Sequence, residues 1–209
     1  MSENFDDYEI VFSDDGSRDG SAELIKALSL PCVRVVGYKD NRGKGCAVRT
    51  AMLEADGDFI MFTDADLAYG TDVIKTFADA FEKEKCDVII GSRSKSPDGY
   101  KNYTFFRKLA SKAYLKFLNT VGGLKLSDSQ TGCKGFSKEA AKKIFGICET
   151  NGFAFDFEAL MLAQKFGFSI CEMPVEVINH RQSKIRLLGD SAKMVKDILR
   201  IKKRMKKTV

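Results

Sequence analysis

Asp64 and Asp66 stand on either side of Ala65, directly after the apolar run Phe59 to Phe62. Two carboxylates at the end of a strand can share one divalent cation with diphosphate oxygens, and hard oxygen ligands favour Mg2+ or Mn2+. Aspartates are equally at home in solvated turns, and from this tripeptide alone the two readings stand level. Asp14 and Asp15, with Gly16 and Ser17, follow a second apolar run, Glu9 to Ser13. There a carboxylate can accept from a ribose hydroxyl or a base N–H, or it can cap the helix that follows. Taken together, the two acidic sites offer what a nucleotide diphosphate needs: one contact for the nucleoside and a cation for the phosphates.

Arg42, Lys44, Arg93 and Arg107 are isolated cations near predicted loops or helix starts, and each alone reads as a surface charge. Gly43 and Gly45 flank Lys44 where a helix begins, a short pattern that can bring backbone N–H groups to a phosphate. Asp128, Ser129, Gln130, Thr131 and Gly132 concentrate hydrogen-bonding groups before a predicted strand, which suits sugar hydroxyls and suits a structural turn equally. Asp156 and Glu158 lie among aromatics at a helix start, where Asp156 can also be an N-cap.

The elements that must position these groups follow from periodicity. Glu9 to Ser13, Val33 to Gly37, Asp58 to Thr63 and Asp87 to Gly91 read as strands, separated by helical patterns over Ala22 to Leu28, from Gly45 onward, and Thr71 to Glu84. Alternation of this kind implies an α/β, Rossmann-like fold: a mostly parallel central sheet flanked by helices, with ligands bound beyond the carboxyl ends of the strands. The acidic pairs and the Gly91, Ser92, Arg93 segment then share one rim. Beyond Ser92 the pattern predicts a helix with Leu109, Ala113, Tyr114, Phe117 and Leu118 inward, two further helical stretches, and an extended segment over Ser169 to Asn179. A basic amphipathic C-terminal helix over 187–209 is predicted with Ala192, Val195 and Leu199 on its apolar face.

The chain of 209 residues reads as one domain. With 44% hydrophobic and 30% charged residues its composition is that of a globular protein. No apolar run approaches the roughly twenty residues of a membrane-spanning helix, and Met1 to Asp7 has no secretory pattern, so a cytoplasmic location is expected. The six cysteines show no paired spacing, and reduced, mostly buried thiols are expected. The net charge of +5 is modest and gathers in the tail, Lys202 to Lys207; no nucleic-acid partner is expected. An apolar helix face with a polybasic end can lie on an anionic membrane or simply pack on the core.

In order along the chain stand DDGSRDGS (14–21), NRGKGCAVRTAM (41–52), DADLAYG (64–70), GSR (91–93), DSQTGCKGF (128–136), FAFDFEALMLA (153–163) and SKIRLL (183–188). As a set they resemble family 2 glycosyltransferases of the dolichyl- or polyprenyl-phosphate sugar synthase type, from Tyr8 to about Arg200. The resemblance implies the nucleotide-sugar-binding glycosyltransferase A fold. It also implies inverting transfer of a hexose from a nucleoside-diphosphate sugar to a polyprenyl (dolichyl or undecaprenyl) phosphate, at the cytoplasmic face of a membrane.

By the same resemblance Asp14 and Asp15 contact the nucleoside, with Lys44 on the nucleotide, and Asp64 and Asp66 bind the metal. Arg93, Arg107 and Ser111 hold the lipid phosphate, Gln130 and Asp156 lie on the sugar and acceptor side, and Lys184 and Arg186 belong to a basic acceptor-side loop. Asp66, Arg93 and Arg107 are thereby the candidate catalytic residues. Two features depart from the family pattern. Ala68 stands where some relatives carry a third metal ligand, leaving the rest of the shell to phosphates and water. The family also opens with a strand and helix of roughly 30 residues ahead of the DDGS unit, and this chain reads as truncated before it. Two alternatives follow: an impaired nucleotide-sugar-binding remnant, and a Mg2+-dependent phosphohydrolase built on the Asp64/Asp66 pair.

Overall fold

The computed structural model describes residues 1, 4–101, 103–179 and 189–207. The first half alternates strictly: β1 (Ile10–Asp15), α1 (Ser21–Ala27), β2 (Val33–Tyr38), α2 (Lys44–Glu54), β3 (Phe59–Thr63), α3 (Asp72–Glu84) and β4 (Val88–Ser92). After a short 3-10 turn, Arg93–Lys95, come α4 (Phe105–Gly122), β5 (Cys133–Ser137), α5 (Lys138–Phe145), α6 (Phe155–Lys165), β6 (Ile170–Pro174) and α7 (Gly189–Met205). Among the described residues no helix is long and apolar enough to cross a membrane.

The strands form two sheets. β1 and β2 pair in parallel, and the other four run in the order β3-β5-β4-β6. β4 and β6 are parallel, whereas β5 is antiparallel to both of its neighbours. The expected parallel sheet therefore carries one reversed strand at its centre. The reversal has a consequence for the site, because it starts β5 beside the end of β3, with Thr63 opposite Cys133. The polar segment Asp128 to Gly132 is thus delivered onto the same rim as Asp64.

β4 is buried along its whole length, as a strand covered on both faces must be. Helix α3 turns Val73, Phe77 and Ala80 toward the sheet, at the spacing of one helical face. Phe136, Phe145, Phe155 and Phe157 fill the larger core beneath α5 and α6. α5 starts cleanly because the Ser137 hydroxyl accepts from the Ala140 N–H at 3.2 Å.

Two helix faces differ from expectation. Leu109 on α4 is 56% exposed, while Leu118 on the same helix is buried. On α7 the docked face is Ile198, Ile201 and Met205, and the expected stripe through Val195 and Leu199 faces outward. Both stripes fit a helical period, and the choice between them is made by the core surface that α7 meets. The expectation for residues 187–188 and 208–209 lies outside the described residues. Cys86 and Cys171, 85 residues apart, are paired as a disulfide, contrary to the all-reduced expectation, and Cys32, Cys46, Cys133 and Cys148 remain free thiols.

Helix α2 packs on β1, β2 and β3, and so bridges the two sheets. Between β1 and β3 runs a cavity of about 2240 Å3, walled by Ile10, Phe12, Met52, Ile60 and Phe62 and lined also by Asp15, Lys44 and Asp64. Although β1 reads as a core strand, all six of its residues are only half-buried.

Candidate active site

The two acidic rim sites differ in what their carboxylates already do. Asp14 Oδ1 accepts the Ser17 N–H at 3.0 Å, which closes the turn after β1. Asp15 is engaged on both oxygens. Oδ1 accepts from Tyr38 Oη at 2.8 Å and the Arg42 N–H at 2.8 Å, and Oδ2 accepts from Asn41 Nδ2 at 2.9 Å and the Gly43 N–H at 3.0 Å. Asp15 therefore shapes the 41–43 loop, a role the sequence reading did not assign to it. Burial, with the Asp15 carboxylate beside it, pushes the Tyr38 phenol well above its ordinary value.

That loop delivers Lys44. Gly43 has φ 103°, a conformation that favours glycine, and a Cβ there would lie 2.6 Å from the Asn151 carbonyl. Lys44 opens α2, and its Nζ lies 2.7 Å from Asp64 Oδ1. On the other side of Asp64 is Gly132, where a Cβ would fall 2.1 Å from Asp64 Oδ2. The carboxylate is seated against bare backbone on one side and an ammonium on the other. Asp66, two residues on, receives the Ala68 N–H on Oδ1 at 3.1 Å. Asn179 braces the same turn through Nδ2, donating to the Leu67 carbonyl at 3.0 Å.

The residues fit a divalent cation in part. Asp64 already carries a cationic group at contact distance, and both carboxylates are half-exposed on one turn. No cluster of three or more acidic, cysteine or histidine ligands exists among the described residues. Position 68, two residues after Asp66, is an alanine and adds no third side-chain oxygen to this turn.

Beneath Asp64 lies a second pair that the sequence reading missed. Lys134 is wholly buried, with Nζ 2.9 Å from Asp156 Oδ1 and donating to the Thr131 carbonyl at 2.6 Å. Burial raises the Asp156 carboxyl, and Lys134 and Lys44 oppose that shift while Asp64 adds to it. Asp156 is thus a buried partner of Lys134, within the electrostatic reach of Lys44 and Asp64. A lysine inside an apolar strand was the available signal, because such a group is buried only when paired.

Arg93 is held by Asp128. Nε lies 2.6 Å from Oδ2, Nη2 lies 2.9 Å from Oδ1, and Nη1 donates to Tyr103 Oη at 3.1 Å. Burial pushes the Asp128 carboxyl up, but the Arg93 guanidinium outweighs it and holds the group below its ordinary range. With its charge matched in a bidentate pair, Arg93 braces the rim. The 127–131 segment is further tied down: Glu172 Oε1 accepts the Ser127 and Asp128 N–H groups, and Thr131 Oγ1 donates to the Gly91 carbonyl. Gln130 is half-buried on this segment, its N–H donating to Asp128 Oδ1 at 3.1 Å.

Ser111 is half-buried on α4. Arg107 lies on the first turn of α4, but its side chain is outside the described residues, as are Lys184 and Arg186. The structure thus brings Asp15, Lys44 and Asp64 onto one cavity, with Asp66 two residues on and Asp156 within electrostatic reach, while Gln130 and Arg93 are both held by Asp128.

A last group holds α2 from behind. The buried Glu158 accepts the N–H groups of Glu149 and Thr150 and pairs with Arg204 of α7. The next residue, Asn151, accepts the Gly45 N–H on its carbonyl at 2.8 Å. Arg204 and Glu158 were unassigned in the sequence reading, and they fix the turn on which the start of α2 rests.

A nucleotide-binding α/β frame with an acidic pair closing β3 and a lysine-bearing helix start against it defines a class, and comparison with known proteins agrees. The sequence profile of glycosyl transferase family 2 matches residues 2–145, and the chain belongs to that family. The chain is 34% identical to a dolichyl-phosphate beta-glucosyltransferase of Dictyostelium discoideum over 207 residues, covering 93% of this chain and 62% of that protein. It is 31% identical to the dolichyl-phosphate beta-glucosyltransferase of Saccharomyces cerevisiae, covering 93% of this chain and 64% of the relative. The chain thus spans about three-fifths of the length of these relatives. In fold it matches glucosyl-3-phosphoglycerate synthase from Mycobacterium tuberculosis, solved with Mn2+, uridine diphosphate and glucosyl-3-phosphoglycerate. The TM-score is 0.69 at 19% identity, over 97% of this chain and 72% of that one. Family membership sets the phosphohydrolase alternative aside.

Proposed function

We propose that the chain is the catalytic part of an inverting glycosyltransferase that moves a hexose from a nucleoside-diphosphate sugar to a polyprenyl phosphate. The single observation that carries this reading is the seating of Asp64 between Lys44 and Gly132 on the wall of a cavity that also reaches Asp15. A diphosphate lying between the Asp15 loop and Asp64 meets an ammonium, the start of α2 and a carboxylate pair suited to Mg2+ or Mn2+. The names of the relatives support glucose as the sugar and a dolichyl-type phosphate as the acceptor.

The acceptor phosphate is an anion at neutral pH, so its oxygen attacks the anomeric carbon without a side chain removing a proton. The difficulty is electrostatic, because two phosphate-bearing reactants approach while charge grows on the leaving diphosphate. Asp64 and Asp66 would hold a divalent cation, which would supply positive charge to offset it. Lys44 adds a second cation on the nucleotide side. The Arg93–Asp128 pair keeps the 127–131 segment in place for the sugar, and by the resemblance Arg107, Ser111, Lys184 and Arg186 serve the acceptor.

Membrane contact is part of the same reading. Phe105 and Leu109 lie one turn apart on the outside of α4, and Val195 and Leu199 lie one turn apart on the outside of α7 among Lys196, Arg200 and Lys203. Apolar residues interleaved with cations suit the cytoplasmic face of an anionic membrane. A second reading, a nucleotide-sugar-binding remnant without transfer, is favoured by the cavity beside the half-buried β1.

The deciding experiment is transfer of radiolabelled sugar to a short polyprenyl phosphate, with UDP-glucose and GDP-mannose tested in Mn2+. Label in the lipid phase establishes the transferase and names the donor. Nucleotide binding without label in the lipid, from folded protein, establishes the remnant.

A further inference from the structure

Two lysines face the carboxylates of this site, and they are built differently. Lys134 is wholly buried, and its partner Asp156 keeps 9% side-chain exposure, so that pair is locked into the core. Lys44 and Asp64 retain 29% and 38% exposure, and the four-carbon stem of Lys44 can swing while its backbone stays pinned by Gly45 and Asn151. Asp64 Oδ2 lies over Gly132, in space that a Cβ there would fill, while Oδ1 points to Lys44. Oδ1 already holds the Lys44 ammonium at 2.7 Å, so a divalent cation approaching Asp64 meets a positive charge at contact distance and competes with it.

We propose that Lys44 is a resident stand-in for the metal, seated on Asp64 until a nucleoside diphosphate arrives and then transferred to its phosphates. The inference rests on the reading of Asp64 and Asp66 as the metal pair and of the Asp15–Lys44 cavity as the nucleotide site. Its consequence is that metal and nucleotide enter as a unit. The displaced ammonium needs an anion, and the diphosphate supplies one in the same cavity. A metal arriving alone leaves Lys44 without a partner and binds weakly. Binding of either ligand thereby strengthens the other by the same factor.

The test is Mn2+ binding, followed by the electron paramagnetic resonance signal of the free ion, on the whole chain with and without UDP or GDP. Three proteins are compared: the unaltered chain, Lys44→Gln, and Arg42→Gln. Arg42 is a cation of the same loop whose guanidinium sits over the Tyr38 ring, and it controls for a general loss of positive field. Expected are a tenfold or greater gain in Mn2+ affinity on adding nucleotide to the unaltered chain, and a threefold or greater rise in affinity for Mn2+ alone in Lys44→Gln. The nucleotide-dependent gain shrinks in Lys44→Gln, and Arg42→Gln matches the unaltered chain for Mn2+ alone. Lys44→Met, a second neutral replacement, must repeat the Lys44→Gln result, with thermal unfolding confirming that both are folded.

If Lys44→Gln binds Mn2+ alone no better than the unaltered chain, or if Arg42→Gln rises equally, the stand-in role is wrong while the metal assignment stands. If the unaltered chain binds Mn2+ equally with and without nucleotide, the coupling is wrong. Absence of Mn2+ binding in every state overturns the underlying metal reading itself.

Discussion

Lys134 and Asp156 meet at 2.9 Å within electrostatic reach of Asp64, and the lysine has no solvent access at all. A buried pair of this kind contributes less through its own attraction than through the penalty for breaking it, since removing one partner strands the other charge in a low dielectric. Lys134→Met should therefore destabilise the fold by about 3–5 kcal/mol, the usual range for an uncompensated buried charge. The double variant Lys134→Met/Asp156→Leu should recover most of that loss. Chemical denaturation of the three proteins measures both; equal losses in the single and double variants would show that the lysine matters for its packing volume instead.

Asp66→Ala should abolish sugar transfer while leaving the unfolding transition unchanged within about 0.5 kcal/mol, as expected of a half-exposed residue outside the core. Retained turnover would remove Asp66 from the metal pair.

Gly132→Ala tests the seat of Asp64. The added methyl would fall on Oδ2, so the carboxylate has to move. Transfer should fall at least tenfold, on the order of the cost of a small misplacement in a reacting geometry, and Mn2+ affinity in the presence of nucleotide should fall with it. Unchanged metal affinity would mean that Asp64 is free to shift without consequence.

The Arg93–Asp128 pair predicts a pH dependence of stability. The Asp128 carboxyl is held below its ordinary value of 3.8, so its contribution is present in full above that value and is lost as pH falls through the lower folded one. Asp128→Asn should be less stable than the unaltered chain across pH 5 to 8, by about 3 kcal/mol for a buried guanidinium left with a neutral partner. The gap should begin to narrow below about pH 4, where the unfolded carboxyl takes up its proton, and close only below the lower folded value. Guanidinium denaturation across the range reads this directly, and a gap that persists in acid would assign the effect to shape.

Phe105→Ser/Leu109→Ser should weaken co-sedimentation with phosphatidylserine vesicles several-fold without altering stability, because both side chains are largely exposed. Unchanged sedimentation would place the membrane contact elsewhere.

How far the sequence carried these conclusions differs by element. The strand-turn-helix units through β4 were legible because period 2 and period 3.6 alternate cleanly, and the strand ends then put Asp14, Asp15, Asp64 and Asp66 on one rim. The reversal of β5 was not legible: nothing local in Cys133 to Ser137 encodes direction, which is set by where α4 returns the chain. Arg93 showed as a lone cation because its partner is 35 residues away in sequence. Leu109 was expected inward from a helical period that α4 satisfies on either side. The loop-shaping role of Asp15 was not legible, because a carboxylate after a strand says nothing of the loop that will come to meet it.

The cavity between β1 and β3 bears on how this protein behaves at high concentration. Among the described residues β1 pairs only with β2, and β3 only with β5. Each strand thus turns an unclaimed row of backbone N–H and C=O groups toward the same apolar-walled trough. Rows of this kind accept any extended chain that reaches them, including the strands of a neighbouring copy. Self-association should therefore rise steeply with concentration, and an extended peptide able to lie in the trough should suppress it in the purified chain.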